Sequence, residues 1–307
     1  MAGKQFITVA VTGGIHVPSQ SPYLPIKQDE IVEEVLRAEE AGAAVAHIHA
    51  RNPETGQPSS DIELYREIVS KIKARSKIVL CVTTGGALGM SLEERIGAVP
   101  VLKPELASFN MGSINFALYP AVKKIDTFQH EWEKQYLEMT EDFAFVNTFK
   151  ALKFFSSTMN EYQTKQELEI YDVGHIYNAA QIIQEGYLQK PLYLQFVMGI
   201  LGAIQPGVEN LVFLVNTAKN VIGDFNWSVC AVGRHQLPMA AVALVMGGNI
   251  RVGLEDSLYI AKGELAKHNA DQVAKVARMA KDLSIELATP DEVRGILGLK
   301  GLEKVNF

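Results

Sequence analysis

The feature that most constrains this chain is a regular alternation of two textures. Short β-branched runs ending in Gly, Ser, Thr, His or Asn are each followed by a longer amphipathic stretch. The runs that read as strands are Phe6–Val11, Val45–His49, Ile78–Val82, Leu106–Asn110, Leu168–Tyr171, Leu192–Val197, Trp227–Ala231 and Asn249–Gly253. The stretches that read as helices are Gln28–Ala41, Asp61–Ala74, Ser91–Val99, Phe143–Glu161, Val173–Glu185, Val208–Ile222, Leu237–Met246 and Asn269–Leu283. Alternating βαβα order implies a parallel sheet, and eight units predict closure into a TIM (β/α)8 barrel. A doubly wound open sheet ranks lower, because no GxGxxG follows the first strand.

Periodicity supports the helices. In Asp29–Ala41 the apolar Ile31, Val32, Val35, Leu36 and Ala38 form one stripe, with Glu33, Glu34, Arg37 and Glu40 outside it. Asp29 is the expected N-cap. The tail Thr289–Leu299 reads as a further helix, capped by Thr289 with Pro290 at its first position. One connection is irregular. Phe116–Asp142, containing FQHEWEKQYLEMTED, is far longer than an ordinary βα loop and falls at the barrel mouth. It is expected to be a lid, an oligomer contact or a decorative helical insertion. The chain thus reads as one barrel domain over 1–307 with an insertion at about 116–142.

Composition bounds the partners. With 307 residues and 48% apolar side chains the chain can bury a large core. A net charge of −6 argues against nucleic acid or an anionic membrane as the main partner, though not against an anionic small molecule held by local Arg or Lys. Cys81 and Cys230 each lie in an apolar run and read as buried, reduced thiols. The start MAGKQFITVAV runs straight into a strand and does not read as a signal peptide. With no apolar stretch of membrane length, the expectation is a soluble, cytoplasmic protein.

The sharpest chemical signal is His47-Ile48-His49. Residues two apart on a strand share a face, so both imidazoles project the same way from the end of the second strand. Such a pair is a natural start for a metal site, although a single core His is usually structural. Glu255, in GLED just past the eighth strand, can complete a two-histidine, one-carboxylate set with an open position. Asp256 is then free for acid–base work. Capping of the next turn is the ordinary alternative for both acids. Arg251, four residues earlier, can hold a carboxylate or orient Asp256, or form a structural ion pair. Glu169 is a carboxylate in an apolar strand and needs a partner, for which Arg251 is expected.

Other strand ends carry weaker signals. Thr83, Gly85 and Gly86 after the third strand, and Asn110 and Ser113 after the fourth, suit carboxylate or carbonyl binding. Turn chemistry explains such residues equally well. Gly199 and Gly202, in a flexible apolar loop after the sixth strand, can lie along a cofactor. Arg234 after the seventh can hold a pyrophosphate, and His235 competes as a third metal ligand.

These pieces together resemble the β-keto acid cleavage enzyme family, whose best-known member cleaves 3-keto-5-aminohexanoate. The resemblance rests on VTGG at Val11–Gly14, HIHAR at His47–Arg51, TTGG at Thr83–Gly86, KPELASFNMGSINF at Lys103–Phe116, ELEIYD at Glu167–Asp172, LQFVMG at Leu194–Gly199 and GGNIRVGLED at Gly247–Asp256. It runs nearly end to end. It implies a TIM barrel with one Zn2+ on His47, His49 and Glu255. It also implies reaction of a β-keto acid with acetyl-CoA to give acetoacetate and a new acyl-CoA, and a homo-oligomer, commonly a tetramer. Arg251, Asp256 and Glu169 look like its acid–base network, with Thr83, Asn110 and Ser113 at substrate-pocket positions. One departure stands out. The aminohexanoate-cleaving member has a glutamate for the substrate amine where this chain has Ile15, followed by His16. The expectation is a different β-keto acid, neutral or anionic, with His16 and the insertion shaping the pocket. A different metal-dependent barrel hydrolase or aldolase, or a non-catalytic ligand-binding barrel, is the competing reading. The eight runs read as strands above carry no lysine for Schiff-base chemistry.

Overall fold

The computed structural model describes residues 3–85 and 89–307. Eight parallel strands close into a barrel: β1 (Ile7–Ala10), β2 (Val45–Ile48), β3 (Val79–Val82), β4 (Leu106–Asn110), β5 (Lys165–Ile170), β6 (Tyr193–Met198), β7 (Asn226–Ala231) and β8 (Asn249–Val252). Each pairs with its neighbours in sequence, and the first pairs with the last through Ile7–Ile250, Thr8–Arg251 and Val9–Val252. The strand runs read from the sequence therefore match the eight barrel strands to within a few residues. Around them lie α1 (Gln28–Glu40), α2 (Ile62–Lys73), α3 (Leu92–Ile96), α4 (Ala98–Leu102), α5 (Glu131–Glu138), α6 (Phe149–Glu161), α7 (Val173–Gln184), α8 (Val208–Ile222), α9 (Gln236–Met246), α10 (Asn269–Asp282) and α11 (Pro290–Leu297). Among the described residues no helix is long and apolar enough to cross a membrane.

Strand alternation divides the buried residues into two sets. Ile7, Val9, Ala46, Ile48, Phe109, Leu168 and Ile250 pack outward against apolar helix stripes such as Ile31, Val35 and Ile68. The other parity fills the barrel. Its lower end is apolar, with Phe6, Val45, Val79, Leu106 and Tyr193 packed against Val293 and Leu297 of α11. Arg294 on that helix forks onto Glu105 at 2.8 and 2.9 Å, fixing the plug to the strand it closes. Above this layer the interior turns polar. The Tyr193 hydroxyl donates to Ser228, Ser228 to Gln195, and Gln195 to Glu167, forming a hydrogen-bonded floor beneath the barrel mouth.

Three local expectations are corrected. α1 is capped at Lys27 rather than Asp29, because Glu30 reaches back to the Lys27 and Ile26 amides. Asp29 instead lies in the first turn and accepts from Lys71 at 2.6 Å. α6 begins at Phe149, where Thr148 caps it through the Ala151 amide. The preceding Ala144–Phe145 pairs antiparallel with Ile114–Asn115. The stretch Ser91–Val99 divides at Gly97 into α3 and α4. Thr289 does cap α11, with Pro290 at its first position.

The long connection after β4 holds a 3-10 turn (Tyr119–Lys124), α5 and a second 3-10 turn (Met139–Asp142). It lies against the loops that follow β1 and β2. Trp132 Nε1 donates to Thr55 O at 3.0 Å, the Tyr136 hydroxyl donates to Gly14 O at 2.8 Å, and Glu133 accepts from the Ser19 amide at 3.0 Å.

Candidate active and metal site

The ends of β2 and β8 flank β1, and this adjacency assembles the metal candidates. His47 and His49 stand two residues apart with ring centres 5.1 Å from one another. Glu255 Oε1 lies 3.7 Å from His47 Nε2 and 3.5 Å from His49 Nε2. All three side chains are buried. Bonds of about 2.0–2.1 Å in tetrahedral array put ligand atoms roughly 3.4 Å apart, so this spacing fits one zinc-sized ion. Two further observations agree. Burial, with Arg251 and His49 nearby, holds His47 well below the usual imidazole range, keeping it neutral as a ligand must be. Glu255 Oε2 is buried without a hydrogen-bond partner.

Glu255 is seated by glycines. Gly13, in VTGG, has φ +60° and passes against the Glu255 side chain, while Gly253 (φ +155°) brings β8's end against Ala10 O. Arg51, the last residue of HIHAR, is fully buried. It donates to Thr12 Oγ1, Thr12 O, Gly56 O and His16 O, so it holds the loop after β1 in place.

Arg251 ties the acids together. Its Nη2 lies 2.5 Å from Glu255 Oε1 and 2.9 Å from Asp256 Oδ1, its Nε is 2.9 Å from Asp256 Oδ2, and its Nη1 is 3.6 Å from Glu169. Neighbouring carboxyls are thereby driven apart. Burial works to raise Glu255, but Arg251 and the two histidines outweigh it and hold that group well below the carboxylate range. Burial raises Asp256 despite Arg251, making it the better proton acceptor of the adjacent pair. Burial also lifts Glu169 to about 8, against the pull of Arg251. Asn110 Nδ2 and the Tyr171 hydroxyl both donate to Glu169 Oε2.

These groups share one cavity. It is lined by His47, His49, Thr83, Gly85, Asn110, Glu169, Arg251, Glu255 and Asp256 from the strand ends. Ile15, Phe116, Phe145, Val197, Ile200 and Val232 add an apolar side, and Tyr136 and Tyr171 lie between the two.

Other sequence candidates lie elsewhere. The His16 ring does not line the cavity; it is buried and bonded to Gln20, its carbonyl accepts from Arg51, and burial pushes its pKa down to about 4. Ser113 sits in a shallow neighbouring cleft with Asp172 and His175, its hydroxyl accepting from the Asn147 amide. Gly199 and Gly202 make a turn that packs on the loop after β4, where Gly202 passes against Asn115 O. Arg234 is exposed and pairs with His235, which is not among the metal candidates. Gly86 lies outside the described residues. Residue-level reading missed Tyr136 and Tyr171. It also passed over Glu167, which shares a strand face with Glu169 and which burial lifts to about 7. The two-residue spacing is the signal that could have found it. His47, Cys81 and Glu167 form a second close group directly below the site.

Comparison with known proteins adds the chemistry. A sequence-family model described as beta-keto acid cleavage enzyme matches residues 4–299. The chain is 41% identical over 305 residues to 3,5-dioxohexanoate:acetyl-CoA acetone transferase of Paraburkholderia graminis, covering 99% of this chain and 98% of that protein. It is 36% identical over 301 residues to 3-keto-5-aminohexanoate cleavage enzyme of Fusobacterium nucleatum, covering 98% and 100%. Among solved structures, ObcA in complex with oxaloacetate aligns with a TM-score of 0.73 at 21% identity, over 92% of this chain and 68% of that one. That last likeness bears on the fold alone.

Proposed function

The chain belongs to the β-keto acid cleavage enzyme family, and from that premise we propose that it transfers acyl groups between a β-keto acid and acetyl-CoA with zinc bound at His47, His49 and Glu255. The balanced reaction is R–CO–CH2–COO⁻ plus acetyl-CoA giving acetoacetate plus R–CO–S-CoA. The bond between C2 and the keto carbon breaks, and C2 takes the acetyl group that leaves the thiol. The observation that carries this reading is the convergence of both histidine Nε2 atoms on one Glu255 oxygen, in the same cavity as Arg251, Asp256 and Glu169.

When bound, zinc supplies a Lewis acid for a carbonyl oxygen. The remaining work falls to side chains. Asp256 removes the C2 proton, being the adjacent acid whose proton affinity is raised. Arg251 holds Asp256 through two hydrogen bonds and links it to Glu169. Glu169, kept protonated to about pH 8, gives a proton where charge builds on the substrate. Thr83, Gly85 and Asn110 position the acid's polar end. Ser113, Gly199, Gly202 and Arg234 lie outside the cavity lining; Gly199, Gly202 and Arg234 are assigned to the co-substrate, and Ser113 to the outer edge of the substrate pocket. His16 shapes the pocket through its carbonyl's grip on Arg51. The cavity does not favour a cationic β-keto acid. We further read the chain as one barrel unit with 116–142 inserted, acting in the cytoplasm as a homo-oligomer. Exposed Tyr177, Val208 and Phe213 on the adjacent α7 and α8 are its contact candidates.

The test is an activity screen with metal analysis on the same sample. Purified protein is incubated with acetyl-CoA and a panel of β-keto acids, and products are followed by mass spectrometry. Bound zinc and acyl-CoA formation, both lost in His49→Ala, are expected. Zinc without any CoA product would favour a hydrolase or aldolase, and absence of metal would overturn the ligand assignment.

A further inference from the structure

The apolar side of the cavity carries a restriction tighter than the absence of a cationic preference. Ile15, Phe116, Phe145, Val197, Ile200 and Val232 belong to one packed cluster that borders the site on the loops above the strand ends. No lysine lines the cavity among the described residues, and its one arginine, Arg251, gives Nε and Nη2 to Asp256 and Glu255 and holds Nη1, which makes no hydrogen bond, 3.6 Å from Glu169. The nearest other arginines are also committed. Arg51 spends its donors on Thr12, Gly56 and His16. Arg95 donates to Thr84 O and Asn147 and stacks on Phe145, with its guanidinium carbon 4.5 Å from the ring centre. The three acids in the cavity are drawn to Arg251, and Glu169 meets the apolar cluster only through the Tyr171 hydroxyl. The two hydroxyls there, Tyr136 and Tyr171, already donate to Gly14 O and Glu169.

We propose that the group on the substrate's keto carbon is an uncharged, mainly alkyl chain seated on Ile15, Phe116 and Phe145. The substrates are then neutral short-chain 3-oxo acids, and anionic tails are rejected along with cationic ones. An ion placed against this cluster loses its water and gains no counter-charge. Ile15 is the specificity-determining residue, because it fronts the cavity from the loop that Tyr136 and Arg51 hold in place. This inference rests on the reaction proposed above.

The test compares 3-oxohexanoate, 5-amino-3-oxohexanoate and 3-oxoadipate, matched in chain length and differing in tail charge. Steady-state kcat/KM with acetyl-CoA is measured for each, alongside calorimetric binding of each acid alone. The neutral acid is expected to exceed both charged ones by about 100-fold or more in kcat/KM, with a parallel order in affinity. In Ile15→Glu the gap to the amine should close by about tenfold or more, while 3-oxoadipate falls further. Acyl-CoA formation with either charged acid equal to or above the neutral one would overturn the inference and leave the reaction standing. Failure of every acid to yield acyl-CoA would instead overturn the reaction, and the inference with it. The wild-type comparison decides the matter even if Ile15→Glu does not fold.

Discussion

A Cβ placed on Gly13 would lie 2.2 Å from Glu255 Cγ, and Gly13 holds a positive φ of 60°. Both facts bear on the candidate metal site. Gly13→Ala must either shift the strained backbone or displace the Glu255 carboxylate, which has no slack beside Arg251. Zinc affinity is expected to fall at least about tenfold, as for other lost supports of metal ligands. Titration with a competing chelator measures it, and circular dichroism checks that the fold persists. Unchanged affinity in a folded variant would mean that the Gly13 contact does not hold Glu255 in place for the metal.

Arg251 is a single cation serving three buried acids. Removing it strips buried Glu255 and Asp256 of their counter-charge, so Arg251→Met is expected to cost about 3–5 kcal/mol of stability. Arg251→Lys keeps the charge but loses the fork that reaches both Asp256 oxygens. It should recover much of the stability and little of the turnover. Urea denaturation and kcat, measured on the same preparations, separate the two effects. Equal turnover for wild type and Arg251→Lys would rule out a need for the forked geometry.

Burial moves Glu169 from 4.5 to about 8. Between those values the unfolded chain has released a proton that the folded one keeps. Stability is therefore full below pH 4.5 and falls as pH rises towards 8, at up to about 1.4 kcal/mol per pH unit for this group. Glu167, raised to about 7, adds to the same slope over a shorter span. In metal-free protein Glu169→Gln should flatten the decline, most visibly between pH 7 and 8. Urea midpoints across pH 5 to 8 test this, and parallel curves for variant and wild type would contradict it.

Arg51 shares the HIHAR run with the two histidines but serves a different purpose. Its four donated bonds end on main-chain carbonyls and one hydroxyl of the neighbouring loops. Arg51→Lys cannot satisfy them all, and each buried acceptor left unpaired costs about 1–3 kcal/mol. The loop carrying Gly14 and Ile15 should loosen, raising KM for the β-keto acid more than it lowers kcat. Faster amide exchange at residues 12–17 would be the structural counterpart. A kcat loss with KM unchanged would assign Arg51 to the chemistry instead.

Much of this architecture is legible in the residues themselves. The β-branched runs and their two-residue alternation are local properties, so His47 and His49 read as a pair before any long-range contact is known. Arg251, Glu255 and Asp256 are legible because they lie on or just after one strand, within six residues. What escapes is whatever depends on the path of a loop. Ser113 and His16 lie beside the right strands yet turn away from the cavity, because Asn147 takes the Ser113 hydroxyl and the Arg51 fork takes the His16 carbonyl. Tyr136 arrives from more than 100 residues downstream of its partner Gly14, and no periodicity announces that meeting. The start of α6 fails for a related reason. Ala144–Phe145 finds a strand partner at Ile114–Asn115, a pairing that outweighs its fit to a helical stripe.

The segment over the barrel mouth is latched mainly onto peptide groups: Trp132 to Thr55 O, Tyr136 to Gly14 O, and Glu133 to the Ser19 amide. Every residue offers the same carbonyl, and every residue but proline the same amide. The latch is thus nearly indifferent to which side chains occupy those loops. Single replacements at a pocket-facing position such as Ile15 therefore leave the anchors of the cover in place.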